Sequence, residues 1–390
     1  MTTKRLSSNP RGLVLWESPS RDPIAARIAV AGDFLPAGAL GFPADLGWAG
    51  IACNIAPQFE DVDLSFANLE APLDTEGLRA RRLTGIGTIV SAPSASLDYL
   101  AAIHCRAVGI ANNHSFDFGA AGLARTREAI SRRGMTALGA GPPLKDAAEI
   151  FVWEGPGGLR VGFWAAAKSA SDFASRKKAG IEPATIHRAR WAFARMKSEG
   201  AHFCIALLHA GCLRTSRPDP EDVRLMDSLA LCGFQLVAAS HSHRISGGKR
   251  IGTPQGDPRF CFYGLGSVVS GFIADSLERE GLVVVANLSC RGELLRIEAR
   301  PVSLDDTGFG VLPSPEVSRT ILSRFEQLSS EIADGSYEQL FYQDVSQGLV
   351  QLYLRDAGRA FREDGFRGLA RKAGRVRVRH VRRLVHKVIG

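Results

Sequence analysis

The stretch from Gly109 to Gly122, GIANNHSFDFGAAG, constrains this chain more than any other. An apolar run from Ala107 to Ala111 breaks into Asn112, Asn113 and His114. Asp117 follows three residues later, and glycines at 119 and 122 open a helix. A buried strand that ends so abruptly in polar side chains fits an open α/β sheet, which delivers such residues into the crevice at its strand ends. An Asn amide oxygen can meet a hard or borderline cation, and a neighbouring imidazole can transfer a proton. An acid three residues on can bond that ring and fix its tautomer. Taken alone, the stretch also reads as a helix start with polar capping residues, so its meaning depends on the other strands.

Those strands repeat the pattern. Residues 27–31 (RIAVA) predict a buried strand ending at Gly32-Asp33. Residues 62–70 (VDLSFANLE) alternate as a half-buried strand would and end at Asn68 and Glu70, before Pro72 stops the element. Helices are predicted over 94–105 and up to Arg133, where Gly134 is the stop. Residues 149–155 and 159–167 form a hairpin about Pro156-Gly157-Gly158. A helix over 183–199 precedes a strand over 202–211 that carries His209 at its end. Asp219-Pro220-Glu221-Asp222 starts the next helix with a capping acid, a first-position proline and first-turn acids. Residues 234–240 are a buried strand ending in Ser240-His241-Ser242-His243. From 259 to 303 the pattern is nearly all strand, with a hairpin at Arg291-Gly292, and helices follow over 316–334 and 336–364.

Four of the nine histidines therefore fall directly after predicted buried strands: His114, His209, His241 and His243. On an extended segment His-x-His turns both rings to one side, since side chains two apart share a face. With Asp33, Glu70 and Asn113 the donors are carboxylate, amide oxygen and imidazole, which favour zinc, manganese or iron over magnesium or copper. Two such ions sharing a carboxylate can activate a water for in-line attack on phosphorus. Arg79, Arg81 and Arg82, in a loop, either solvate a surface or meet an anionic substrate.

Composition narrows the class. At 390 residues the chain exceeds what one core usually supports. We read 1–25 as a flexible arm, 26–312 as the main domain, 313–370 as a helical extension and 371–390 as a basic amphipathic tail. No apolar run approaches the ~20 residues that span a bilayer, and the first 25 residues lack a signal peptide's apolar core. The expected location is cytoplasmic. Seven scattered cysteines without a Cys-x-x-Cys pair suit a reducing compartment and argue against a cysteine zinc knot. The net charge of +8 hides an asymmetry: from Arg355 onward twelve Lys and Arg face three acids, so the preceding body is close to neutral. Within the tail, Val381, Leu384, Val385 and Val388 are spaced as on a helix face, with Arg382, Arg383 and Lys387 on other faces. Such a segment either stays solvated or rests on an anionic membrane, which would put the chain at the membrane's inner face. One aromatic, Phe366, in 365–390 gives nucleic-acid bases little to stack on, so no specific nucleic acid is expected.

In order, Gly32-Asp33, Asn68-Leu69-Glu70, Ala111-Asn112-Asn113-His114 with Asp117 and Gly119, His209-x-Gly211, His241-x-His243 and Tyr263-x-Leu265-Gly266 resemble the CapA family. These are capsule and poly-γ-glutamate biosynthesis proteins whose domain is similar to the calcineurin-like metallophosphoesterases. The resemblance covers about residues 26–303. It implies an α/β (α+β) metallophosphoesterase-like four-layer sandwich, two mixed β-sheets flanked by helices, here with a C-terminal helical appendage. It further implies a centre of one or two divalent ions (Mn, Zn or Fe) held by Asp33, Glu70, Asn113, His209, His241 and His243, with Glu70 bridging. His114 would be the proton donor or transition-state stabiliser and Asp117 its orienting acid. Asn68, Asn112 and Arg244, beside these residues in sequence, are expected to contact substrate.

The surroundings depart from the family. The Asp-x-His opening of true metallophosphoesterases is absent, because Phe34 and Leu35 follow Asp33. Gly-His-x-Pro-His becomes Ser240-His241-Ser242-His243, His-Trp-Gly-x-Glu becomes His209-Ala210-Gly211-Cys212-Leu213, and Leu-Gly-Asn-Phe becomes Leu265-Gly266-Ser267-Val268. The leading expectation is a metal-dependent hydrolase of phosphoesterase type, acting on an anionic polymer or phosphoester in surface-polymer biosynthesis. A non-catalytic polymer-binding assembly factor and a metal-dependent amide hydrolase or transferase on γ-glutamyl chains stand beside it. The His114–Asp117 pair favours chemistry over binding alone, and the lack of G-x-G-x-x-G or a P-loop disfavours a Rossmann-type nucleotide enzyme.

Overall fold

The computed structural model describes residues 11–42, 46–81, 88–143, 149–170, 172–253 and 256–346. Arg82, the helix expected beyond 346 and the basic tail at 371–390 lie outside them. In chain order the strands begin with β1 (Leu13–Glu17), β2 (Ala26–Gly38), β3 (Leu64–Leu69), β4 (Cys105–Gly109), β5 (Thr136–Leu138) and β6 (Ala140–Gly141). Then come β7 (Phe151–Glu154), β8 (Arg160–Ala167), β9 (Gly180–Ile181), β10 (Phe203–Ala210), β11 (Leu236–His241) and β12 (Gly248–Ile251). The last are β13 (Arg259–Phe262), β14 (Ser267–Gly271), β15 (Glu280–Leu288), β16 (Leu294–Leu304) and β17 (Gly310–Val311). The α-helices are α1 (Trp48–Ala52), α2 (Leu97–Ala102), α3 (Gly119–Arg132), α4 (Ile186–Ser198), α5 (Pro220–Cys232) and α6 (Pro315–Asp334), and residues 337–346, the start of the helix expected over 336–364, are helical too.

Most strands make the two mixed sheets that the family resemblance implies, and β6 and β9 pair separately. The first runs β1-β16-β15-β2-β3-β4-β5, and the second runs β12-β13-β11-β10-β8-β7. Consecutive strands run parallel in each: β2, β3, β4 and the edge strand β5 in one, β8, β10, β11 and β13 in the other. Parallel strands are covered on both faces, so they read as unbroken apolar runs. The register of β10 shows which face is which. Phe203, Ile205 and Leu207 enter the core between the sheets, where Phe66 of β3 meets Phe163 of β8 edge-on at 5.4 Å. Cys204, Ala206 and Leu208 face outward onto α4 and α5, among Ala189, Ala192, Met196, Met226 and Leu229. His209 continues the first series, so alternation alone directs its ring between the sheets.

β2 is the hinge of the first sheet. Its first half pairs antiparallel with β15, and its second half pairs in parallel with β14, with Asp33 opposite Ser267. Asp33 stands where one neighbour gives way to the other. A Cβ on Gly32 would lie 2.0 Å from the Gly266 carbonyl oxygen, so glycine is needed for that approach.

Several expectations need correction. Strand β2 does not stop at Asp33 but runs on to Gly38, because β14 supplies a partner. Residues 64–69 are buried throughout instead of half-buried, since α1 and α2 and the second sheet take opposite faces. Within the expected arm, Leu13–Glu17 is an edge strand on β16. The helix expected over 316–334 is present as α6, and it packs against the body with Ile321, Phe325 and Leu328 buried and Phe325 stacked on Phe262 at 6.1 Å.

Candidate metal centre

The carboxyl ends of the inner strands meet, and the two sheets bring different side chains. Asp33 lies in β2, Glu70 follows β3, and Asn113 and His114 follow β4. His209 and His241 lie in β10 and β11, and His243 follows two residues later. One oxygen or nitrogen from each of Glu70, His209 and His241 lies within 4.8 Å of the others, and so do atoms of Asp33, Glu70 and His243. Glu70 belongs to both groups. His209 Nε2 is 3.4 Å from Glu70 Oε1 and 2.6 Å from Asn113 Oδ1, so Asn113 joins the cluster. The structure thus gathers all six residues expected to hold metal.

The His-x-His segment does so by an unexpected route. It is not extended: His241 has φ 126° and His243 φ 57°, both in the region that disfavours side-chain-bearing residues. The twist sends the two rings into different groups, His241 beside His209 (ring centres 4.4 Å apart) and His243 onto Asp33. Strain of this kind persists where surrounding contacts over-determine it. Here Asp33 Oδ2 accepts from the His241 N–H at 3.0 Å and lies 3.2 Å from His243 Nδ1.

Burial sets the electrostatics. It pushes the Glu70 carboxyl well above its usual value, and the charge of Asp33 adds to that. It pushes His209 well below the ordinary imidazole value, with His241 contributing, and His241 down to about 4 with His243 contributing. Burial also works against the charge on Asp33, but the hydrogen bond and charge of His243 outweigh it and hold the carboxyl low. His243 goes the other way: the Glu70 and Asp33 carboxyls overcome burial and raise it to about 9. Glu70 Oε2 and His241 Nδ1 are buried without a hydrogen-bond partner. Unpartnered buried polar atoms are costly. A carboxyl oxygen and an imidazole nitrogen left so, with further imidazoles and an amide oxygen beside them, fit a divalent cation of the zinc, manganese or iron type.

His114 stands beside this cluster, close enough for its charge to act on His209 and His241. Its Nδ1 is 2.8 Å from Asp117 Oδ2, which also accepts from the Val90 N–H at 2.9 Å. Asp117 is fully buried. The carboxylate therefore fixes the ring and leaves Nε2 as the atom that can carry a proton to or from a ligand.

Two of the three residues expected to contact substrate, Asn68 and Asn112, are hydrogen-bonded inside the protein, and Arg244 keeps a buried Nε without a partner. Asn68 Nδ2 donates to Asp33 Oδ1 at 2.7 Å and lies 3.3 Å from His209 Nδ1, while its Oδ1 accepts from Asn112. Asn112 also bonds the Leu69 carbonyl, the His114 N–H and the Ser115 hydroxyl. Both amides hold the cluster together from behind and are buried, which explains why they sit next to the donors in sequence. Arg244 is tied to Asp275. Two contributors were not among the expected site residues. Ser267 Oγ lies 3.4 Å from His243 Nδ1; the sequence marks Ser267 as a departure from Leu-Gly-Asn-Phe, and the β2–β14 register sets it opposite Asp33. Glu278, buried, adds its charge to those that raise His243 and takes Arg214 Nε at 3.2 Å, and no local pattern marks it.

A model of the family described as "Bacterial capsule synthesis protein PGA_cap" matches residues 27–272. No curated protein matches the chain. Among solved structures, a calcineurin-like phosphoesterase, YfkN from Bacillus subtilis, is 13% identical with a TM-score of 0.44, over 80% of this chain and 99% of that one. A putative 5'-nucleotidase from Staphylococcus aureus in complex with alpha-ketoglutarate is 15% identical, TM-score 0.46, over 77% of this chain and 58% of its own. A 5'-nucleotidase precursor from Thermus thermophilus is 16% identical, TM-score 0.43, over 77% and 58%. The chain thus spans less than two thirds of the length of either nucleotidase.

Proposed function

The chain belongs to the bacterial capsule synthesis protein PGA_cap family, and from that membership and the geometry of the cluster we propose that it is a metal-dependent hydrolase of phosphoesterase type serving surface-polymer biosynthesis. One observation carries the reading: donors from two sheets converge on Glu70, whose buried Oε2 has no hydrogen-bond partner. Asp33, Glu70 and His243 would hold one ion, and Glu70, His209 and His241, with Asn113 Oδ1, a second. A bound divalent ion there supplies Lewis-acid polarisation and an activated water. The chain's own residues do the rest. His114, held by Asp117, moves a proton at Nε2 toward the leaving group. Asn68 fixes Asp33 and His209 in place, and Asn112 fixes Asn68. The apolar space between the sheets excludes water from behind.

The same reading takes an anionic polymer or phosphoester as substrate and gives the basic tail a role at an anionic membrane surface. Among the described residues no helix is long and apolar enough to cross a membrane. The test is a screen of phosphomonoester and phosphodiester probes with added manganese or zinc. Turnover that depends on the metal supports the reading. Bound metal without turnover of any probe would contradict it and leave a polymer-binding assembly factor.

A further inference from the structure

Two loops, one from each sheet's side, meet beside the start of α3. The Arg81 N–H donates to the Asp117 carbonyl at 2.7 Å, and its Cδ would lie 3.2 Å from a Cβ placed at Gly119. It therefore runs over the start of α3, next to the His114–Asp117 pair. Asp172 comes from the other side, three residues after Ser169, whose N–H donates to the His209 carbonyl at 3.1 Å. Arg81 Nη1 reaches Asp172 Oδ1 at 3.0 Å, and Lys178 Nζ reaches the same oxygen at 3.4 Å. This bridge joins the side carrying His114 to the side carrying His209.

One carboxylate oxygen shared by two cations leaves a surplus positive charge. Asp172 is 10% exposed, while Arg81 and Lys178 are 47% and 57% exposed. A guanidinium has five N–H donors and an ammonium three, so a shared carboxylate oxygen uses only part of either. The two cations are about half exposed, so their remaining donors are open to solvent. Arg176 and Lys177, both exposed, sit in the same turn as Lys178, within a body whose net charge is otherwise near zero.

We propose that Arg81 and Lys178, gathered on Asp172, form a second anion subsite that holds a carboxylate or phosphate of the substrate beside the metal centre. This rests on the hydrolase reading for what the centre does, but not for the binding itself. A ligand anion would displace Asp172 as the shared acceptor, which makes Asp172 a competitor for the cations and their positioning residue.

Calorimetry on the metal-free full chain tests this, with tetraglutamate as the carboxylate probe and tetrathymidylate as the phosphodiester probe. Wild type should bind at least one of them, and the responding probe identifies the anion. Arg81→Gln with Lys178→Gln should weaken that binding about tenfold or more, the scale of losing charge-assisted contacts. Asp172→Asn should bind at least as tightly as wild type, an outcome that a purely structural bridge would not give. Equal binding by wild type and the double variant would overturn the subsite. So would an Asp172→Asn protein as weak as the double variant, or a wild type that binds neither probe. Hydrolysis of bis(p-nitrophenyl) phosphate by metal-loaded wild type is read separately, so failure of the hydrolase reading leaves the binding comparison intact.

Discussion

The two sheets differ in what they bring to the crevice. The first supplies oxygen: Asp33, Glu70 and the Asn113 amide, with His114 and Asp117 alongside. The second supplies nitrogen, from His209, His241 and His243. Neither sheet holds a cation site by itself. Burial treats the two sets in opposite directions, raising Glu70 and lowering His209 and His241, and so favours the neutral form of each. A divalent cation reverses this for Glu70, because its charge favours the carboxylate. Cation binding and the packing of sheet on sheet are therefore linked.

The strongest way to break the comparison is to remove the residue both groups share. Glu70→Gln keeps the volume and loses the charge. Metal-dependent turnover should fall about 10⁴-fold or more, since Lewis-acid catalysis is worth several kcal/mol, and kinetics at saturating manganese would measure it. Next comes the first sheet's proton carrier. His114→Ala should lose about 10²–10⁴-fold in rate while keeping its metal, and Asp117→Asn should lose less. If His114→Ala loses metal, the ring is a ligand and the division of roles fails. Asn68 ties the sheets together from behind, through Asp33 and His209. Asn68→Ala should weaken metal binding by roughly 10–100-fold, the range of partners that orient ligands.

A finer contrast lies in pH. In the metal-free protein the carboxyls raise His243 to about 9 and burial raises Glu70 well above its usual value, so a cation competes with protons on both. Binding should tighten as pH rises toward 9 and level off above it, with proton release seen in buffers of different ionisation enthalpy. The sign for stability is opposite. A raised imidazole stabilises the fold fully below its unfolded value, 6.5, and that contribution fades as pH rises through about 9. The metal-induced rise in melting temperature should therefore grow between those limits. The smallest effect belongs to the tail, which is part of neither sheet. With roughly 1 kcal/mol per Lys or Arg near an anionic surface, the full chain should co-sediment with anionic vesicles at low salt. Ending the chain near Gly365 should abolish that and leave metal content unchanged.

Much of this was legible in the sequence, for a physical reason. Parallel strands buried on both faces give unbroken apolar runs, and residues such as His209 and His241 stand out because those runs stop at them. Backbone geometry was less legible. Read as extended, His241 and His243 share a face, whereas their positive φ values divide them between two groups. Asn68 and Asn112 look like substrate contacts because they adjoin the donors, and only their tertiary partners show both amides consumed within the protein. The short strand β12 gave no periodic signal, and the β14 register that sets Ser267 beside His243 is a tertiary matter. The Arg81–Asp172 bridge joins residues 91 apart, a distance no local pattern spans.

The central claim is that the two sheets together hold a metal centre through Glu70. Elemental analysis and calorimetric titration of the purified full chain with zinc and manganese measure this directly, on wild type and on Glu70→Gln. The account predicts one to two ions per chain for wild type and none retained by a folded Glu70→Gln protein. A wild-type chain that takes up neither metal, or a Glu70→Gln chain that binds as many ions as wild type, would contradict it.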